Sequence, residues 1–146
     1  MSPFLKIESS GSDAFCDMLH HQFHSTIAHL IVSTLGLDKL NIPTELYKNY
    51  QECIAEEIKI YRELTLRSIK KKNTNVVPVD RIESLKEIRM KTDDCYDRIR
   101  ELIYASFLLG NNSDESEEIE FLIYKLNHII VQTKMFQYQR AIDLKE

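Results

Sequence analysis

The stretch DRIESLKEIRMKTDDCYDRIRELIYASFLL, residues 80–109, decides the fold. Its apolar and small residues recur at Ile82, Leu85, Ile88, Thr92, Cys95, Ile99, Leu102, Ser106 and Leu109. After the first step the spacing alternates three and four, the seam with which helices pack in left-handed bundles. Thr92, Cys95 and Ser106 thin that seam, so bulky partners such as Phe23 or Tyr50 are expected opposite it. Pro78 stands before the stretch and disfavours helix in the residue preceding it. Gly110-Asn111-Asn112-Ser113 closes it.

Three further segments have the same character. The first spans residues 12–35, with Ser12 as N-cap, Asp13 in the first turn and Gly36 as a left-handed stop. Its stripe is Phe15, Leu19, Phe23, Ile27, Leu30 and Ile31. The second spans residues 43–72 and places Pro43 in the first turn, where a missing N–H costs nothing. Leu46, Tyr50, Cys53, Ile60 and Leu64 form its stripe, with Tyr47, Ile54, Ile58 and Tyr61 alongside, and one carboxylate, Glu57, falls inside it. The fourth spans residues 114–139, capped by Ser113, with Asp114, Glu115, Glu117 and Glu118 at the positive end of its dipole. Ile119, Leu122, Leu126, Ile129, Thr133 and Phe136 are its stripe, and it is expected to fray after Gln139. Short connections between long helices favour antiparallel neighbours. The expectation is an all-α, antiparallel up-down-up-down four-helix bundle, one domain over residues 1–146, with an irregular N-terminal segment.

Composition narrows the function classes. Three glycines and three prolines among 146 residues argue against an all-β fold, and 43% hydrophobic residues suffice for a core. A net charge of -4 offers no basic field for nucleic acid, and the run Lys70-Lys71-Lys72 sits where a helix should end. No apolar run reaches the ~18 residues of a membrane span. Cys16, Cys53 and Cys95 are odd in number and widely spaced, as expected of free thiols in the cytoplasm. Phosphate-loop, nucleophile-elbow and dinucleotide motifs do not occur, and no cofactor or catalytic residue is expected.

The candidate chemistry lies in four residues: His20, His24, Glu57 and His128. His20 and His24 are four apart on one helical face, a spacing at which two imidazoles can share a metal. The Glu of a His-Glu-x-x-His zinc motif is missing, and so are the paired Glu-x-x-His motifs of di-iron bundles. At ~1.5 Å rise per residue, His24, Glu57 and His128 fall at a common height if the helices alternate in direction. Two histidines and a carboxylate could then make a zinc or non-haem iron site between the first, second and fourth helices. A plainer expectation is that the histidines are half-exposed polar residues, and that Glu57 pairs with Arg98 or Lys134. The Glu-rich run 114–120 has Glu-x-x-Glu spacing for magnesium, but its place at a helix start marks it as a solvated cap. The seven tyrosines, from Tyr47 to Tyr138, suit bundle edges rather than a base-stacking platform.

Leu35-Gly36-Leu37, then Leu46, Tyr50, Glu56-Glu57 and Arg67-Ser68, resemble in order a bacterial domain-of-unknown-function family. Asp93-Asp94-Cys95-Tyr96 with Ile99 is similar to that family's Asp-x-x-Tyr segment in the third helix. Thr92 stands where the family has Arg, and Asp97-Arg98 replaces its Arg-Gly. The resemblance runs from about Phe15 to Ile130 and implies a helical bundle without a known activity.

The functional expectation is therefore a non-enzymatic bundle that acts by association with itself or another protein. Apolar residues on two faces of the second and third helices (Ile54, Ile58 and Tyr61; Tyr96, Ile103, Tyr104 and Phe107) point to a homodimer. The alternative is a metal-dependent bundle enzyme resembling the His-rich DinB-like proteins, although the chain has no His-x-x-x-His in its last helix.

Overall fold

The computed structural model describes residues 14–70, 79–110 and 114–145, which form four helices and no strand. They are α1 (Ala14–Thr34), α2 (Thr44–Lys70), α3 (Val79–Leu109) and α4 (Asp114–Lys145). Ser12, Asp13, the Lys71-Lys72 end of the basic run, the break at Pro78 and Ser113 lie outside the described residues, as do the side chains of Phe15, Cys16 and Lys70. The all-α four-helix arrangement holds. Each end of the ordering shows in side-chain pairs: Tyr47 bonds to Ala28 and Tyr50 to His24, so α2 runs against α1. Asn49 meets Cys95 and Glu63 meets Arg81, so α3 runs against α2. α4 packs on α1 and α3.

Local sequence explains the boundaries. Gly36 takes φ 82°, a left-handed conformation that costs glycine little, and its N–H bonds to the Ile31 carbonyl beyond the last helical turn. The connector that follows is part of the core: Leu40 and Ile42 are buried. Ser106 donates to the Leu40 carbonyl at 2.8 Å and accepts from the Asn41 amide at 3.1 Å. Its small size thus makes room for the connector rather than for a bulky ring. Pro43 ends up just before α2, with its carbonyl accepting from Tyr47 N–H. α4 continues to Lys145, six residues past the expected fraying point at Gln139.

Ile27, Ile31, Ile99, Leu122, Leu126 and Ile130 are fully enclosed, and each such aliphatic contributes about 1.5–3 kcal/mol over its exposed state. The α3 seam holds at Leu85, Thr92, Cys95, Ile99 and Ser106, which are buried, and ends before Leu109, which is exposed. The buried face is wider than the stripe: it also takes in Arg89, Tyr96 and Ile103, and α2 takes in Ile54 in the same way. The apolar surplus expected to drive association through α2 and α3 is therefore largely inside the molecule.

Candidate metal centre

His20 and His24 project from one face of α1 into the space between α2 and α3. Contrary to the half-exposed expectation, His24 is 1% exposed and the His20 side chain 10%. Their Nε2 atoms converge on one oxygen, Asp93 Oδ1 of α3, at 2.7 Å from His20 and 2.9 Å from His24. The other ring nitrogens are also engaged. His20 Nδ1 lies 2.5 Å from Glu57 Oε1 on α2, and His24 Nδ1 lies 2.7 Å from the Tyr50 hydroxyl. The ligand atoms of His20, His24 and Asp93 all lie within 4.8 Å of one another, the one His/Cys/Asp/Glu cluster of metal-holding geometry among the described residues.

Two proton placements fit the site. With the proton on Nε2, His24 donates to Asp93 at 2.9 Å and accepts from the Tyr50 hydroxyl at 2.7 Å, an ordinary hydrogen-bond network. With the proton on Nδ1, donated to Tyr50 while its O–H turns to the His24 carbonyl at 3.4 Å, Nε2 presents a lone pair toward the Asp93 oxygen, the placement that a cation would bridge. Tetrahedral zinc with ligands at ~2.0–2.1 Å sets its donor atoms roughly 3.3 Å apart, so to hold such an ion the 2.7 and 2.9 Å Nε2–Oδ1 separations would have to open by about half an ångström. Metal-bound histidines pass their second N–H to a carboxylate or other acceptor, which fixes the ring and raises its basicity. Glu57 and Tyr50 occupy those two positions.

The surroundings tune the charges. Burial by itself would lower the His20 pKa, but hydrogen bonds to Asp93 and Glu57 and their negative charge reverse this and raise it to about 9. His24 goes the other way, to about 4, because burial and the nearby His20 and Arg89 charges outweigh Asp93. Burial opposes ionisation of Asp93, yet the bonds to both imidazoles hold its carboxyl well below the usual carboxylate range. Phe23, Tyr50 and Tyr96 stand edge-on around the His24 ring, with centroids 5.0–5.5 Å away, and exclude water from that side. The Asp93 side chain, 39% exposed, is the opening to solvent. Glu57 Oε2 is buried and has no hydrogen-bond partner among the described residues.

Of the four candidate residues, three meet here. His20, His24 and Glu57 share the layer, but between α1, α2 and α3 rather than α1, α2 and α4. His128 is exposed, because α4 buries Leu126 and Ile130 and turns the position between them outward. The expected Glu57–Arg98 pair does not form: Glu57 faces α1 and takes His20, while Arg98 is exposed beside a groove with Glu45, Glu52 and Leu102. Lys134 is exposed too. Cys53 and Cys95 are buried free thiols, and burial pushes both pKa values up, which makes them poor nucleophiles.

Sequence reasoning missed Asp93. It lies one residue from the buried Thr92 and four from the buried Arg89, on the flank of the α3 seam. The acidic pair Asp93-Asp94 beside a seam position was the available signal, since Asp93, next to Thr92, is near enough to the seam to reach an adjoining helix. No family model, curated protein or solved structure matches the chain.

Proposed function

We propose that the protein is a metal-dependent helical bundle in which His20 Nε2, His24 Nε2 and Asp93 Oδ1 hold one divalent transition-metal ion, zinc foremost. The observation that carries this reading is the meeting of two imidazole Nε2 atoms on one carboxylate oxygen while each Nδ1 is held by its own partner. Two imidazoles and one carboxylate are a donor set suited to zinc or iron(II), and hard cations such as magnesium favour oxygen alone.

Three protein ligands leave a coordination position free, which distinguishes catalytic zinc sites from closed structural ones. The 39% exposure of the Asp93 side chain supports an opening of that position toward solvent. An ion there would supply Lewis acidity and a water of lowered pKa, chemistry that suits hydrolysis or hydration. Glu57 orients His20 and Tyr50 orients His24, both as positioning residues, and the aromatic rings around His24 keep the inner side dry. The two buried free thiols, Cys53 and Cys95, fit a reducing cytoplasm.

Metal analysis of protein purified without a histidine tag tests this directly. Near one zinc, iron or manganese per chain is expected, lost on His24→Ala with the helical signal retained. Sub-stoichiometric metal that no added ion raises would leave His20 as the imidazolium of a structural ion-pair network.

A further inference from the structure

The outward face of α4 carries a second apolar seam. Phe121, Tyr124, His128, Val131, Met135 and Tyr138 are all exposed, and they recur at steps of three, four, three, four and three. The core face of the same helix, Ile119, Leu122, Ile123, Leu126 and Ile130, lies on the opposite side. A bundle helix needs only one such stripe. An alternation of three and four held over these positions is the pattern one helix offers to another in a left-handed pair.

We infer that the outer face of α4 is a self-association surface on which α4 of a second copy docks, parallel and in register. Three observations select that occupant. The spacing calls for a helix. The flanks are self-complementary: with Phe121, His128 and Met135 as one set of core positions and Tyr124, Val131 and Tyr138 as the other, Glu120 and Lys125 fall at flanking positions that face each other across a parallel pair. Symmetry makes that ion pair twice, and the next flanking pairs, Asn127 with Gln132 and Lys134 with Gln139, bring no like charges together. An antiparallel pair centred between Ile129 and Ile130 would set Glu120 near Ala141, and sliding it to match Glu120 with Lys134 sets Lys125 against Lys125. Lys125 already leans over the seam, its Nζ 4.5 Å from the Phe121 ring centroid. Area is the third. The apolar members are 41–70% exposed. With each aromatic ring offering ~150–250 Å² in full, the seam exposes at most roughly 600 Å² per copy, and the flanking residues bring it toward the ~800 Å² of a standard interface.

The measurement is light scattering and sedimentation of the full chain from 1 to 100 micromolar (about the span over which such interfaces bind), with disulfide trapping. The expected result is a dimer that Tyr124→Glu with Met135→Glu weakens about 100-fold or more while the far-UV helical signal stays unchanged. Tyr124→Cys and Tyr138→Cys should each cross-link to itself on mild oxidation, and the unsubstituted chain should not. A monomer throughout overturns the inference, whether the seam stays bare, is covered within the chain or takes up a different protein. A dimer indifferent to the charge substitutions overturns it as well, and cross-linking at one position only contradicts the parallel register.

Discussion

Two regions of this bundle invert the usual rule of burial. Between α1, α2 and α3, the interior holds two imidazoles and two carboxylates, with Glu57 fully enclosed. On the outer face of α4, Phe121, Tyr124 and Met135 stand in water. The first arrangement is costly unless every charge has a partner, and the second wastes burial unless something covers it. Each region is thus understood through what completes it, an ion in one and a helix in the other. The difference also predicts opposite responses to mutation. Single changes in the polar interior should lower stability while leaving the helices formed, and changes on the apolar surface should hardly affect it, as far as one chain is concerned.

The largest effect should come from separating the interior partners. His20→Leu leaves the Glu57 carboxylate buried and unpaired, and should lower stability by about 3–5 kcal/mol in chelator-treated protein. The double variant His20→Leu/Glu57→Leu should recover most of that loss, because a matched apolar pair removes the stranded charge. Denaturant melts of the single and double variants read this coupling. Additive losses would mean that His20 and Glu57 do not depend on each other.

Acidity should disturb the same layer from both sides. His20, raised to about 9 in the fold, adds stability that is complete below its unfolded pKa near 6.5 and is lost as pH rises through 9. His24, lowered to about 4, subtracts stability as pH falls from 6.5, because the unfolded chain then takes the proton the fold refuses. The lowered Asp93 pKa adds to the acid-side loss below the usual carboxylate range. Metal-free protein should therefore be most stable near pH 6.5, losing on the order of 2–3 kcal/mol toward pH 9. A melt series across pH checks this, and a flat profile there would show that His20 is not held by the two carboxylates.

Smaller still is the expected effect of Glu57→Gln, which keeps a hydrogen-bond acceptor beside His20 but removes its charge. It should weaken zinc binding about 10–100-fold without abolishing it. At the bottom of the scale, Tyr124→Lys should leave the stability of one chain within about 0.5 kcal/mol of the original, because an exposed side chain far from the core has little to lose. Thermal melts at a concentration too low for association would reveal any larger effect.

The inner region was more legible in the sequence than the outer one, though neither was complete. Heptad-like spacing in residues 80–109 gave the helices, and Gly36, Pro43 and Gly110 marked their ends, because these signals are local. The i, i+4 pair His20/His24 and the carboxylate on the α2 stripe, Glu57, announced the polar layer. Height along a helix could be counted from the rise per residue, but rotation about its axis could not. That is why His128 was placed in the layer while α4 turns it outward, and why Asp93, one residue off the Thr92 seam, went unnoticed. The same uncertainty hid the α4 surface. The expected α4 stripe, Ile119 to Phe136, follows the core face and passes over the outer seam, and Phe136, assigned to the core, is exposed. The surplus on α2 and α3 looked superficial because their packing partners are distant in sequence.

The most direct test of the metal centre is calorimetric titration of chelator-treated protein with zinc, alongside Asp93→Asn and His24→Ala. The account predicts one ion per chain, with binding lost in both variants although their helical signals match the parent. Zinc uptake that survives either substitution, or no saturable uptake by the parent, would contradict it.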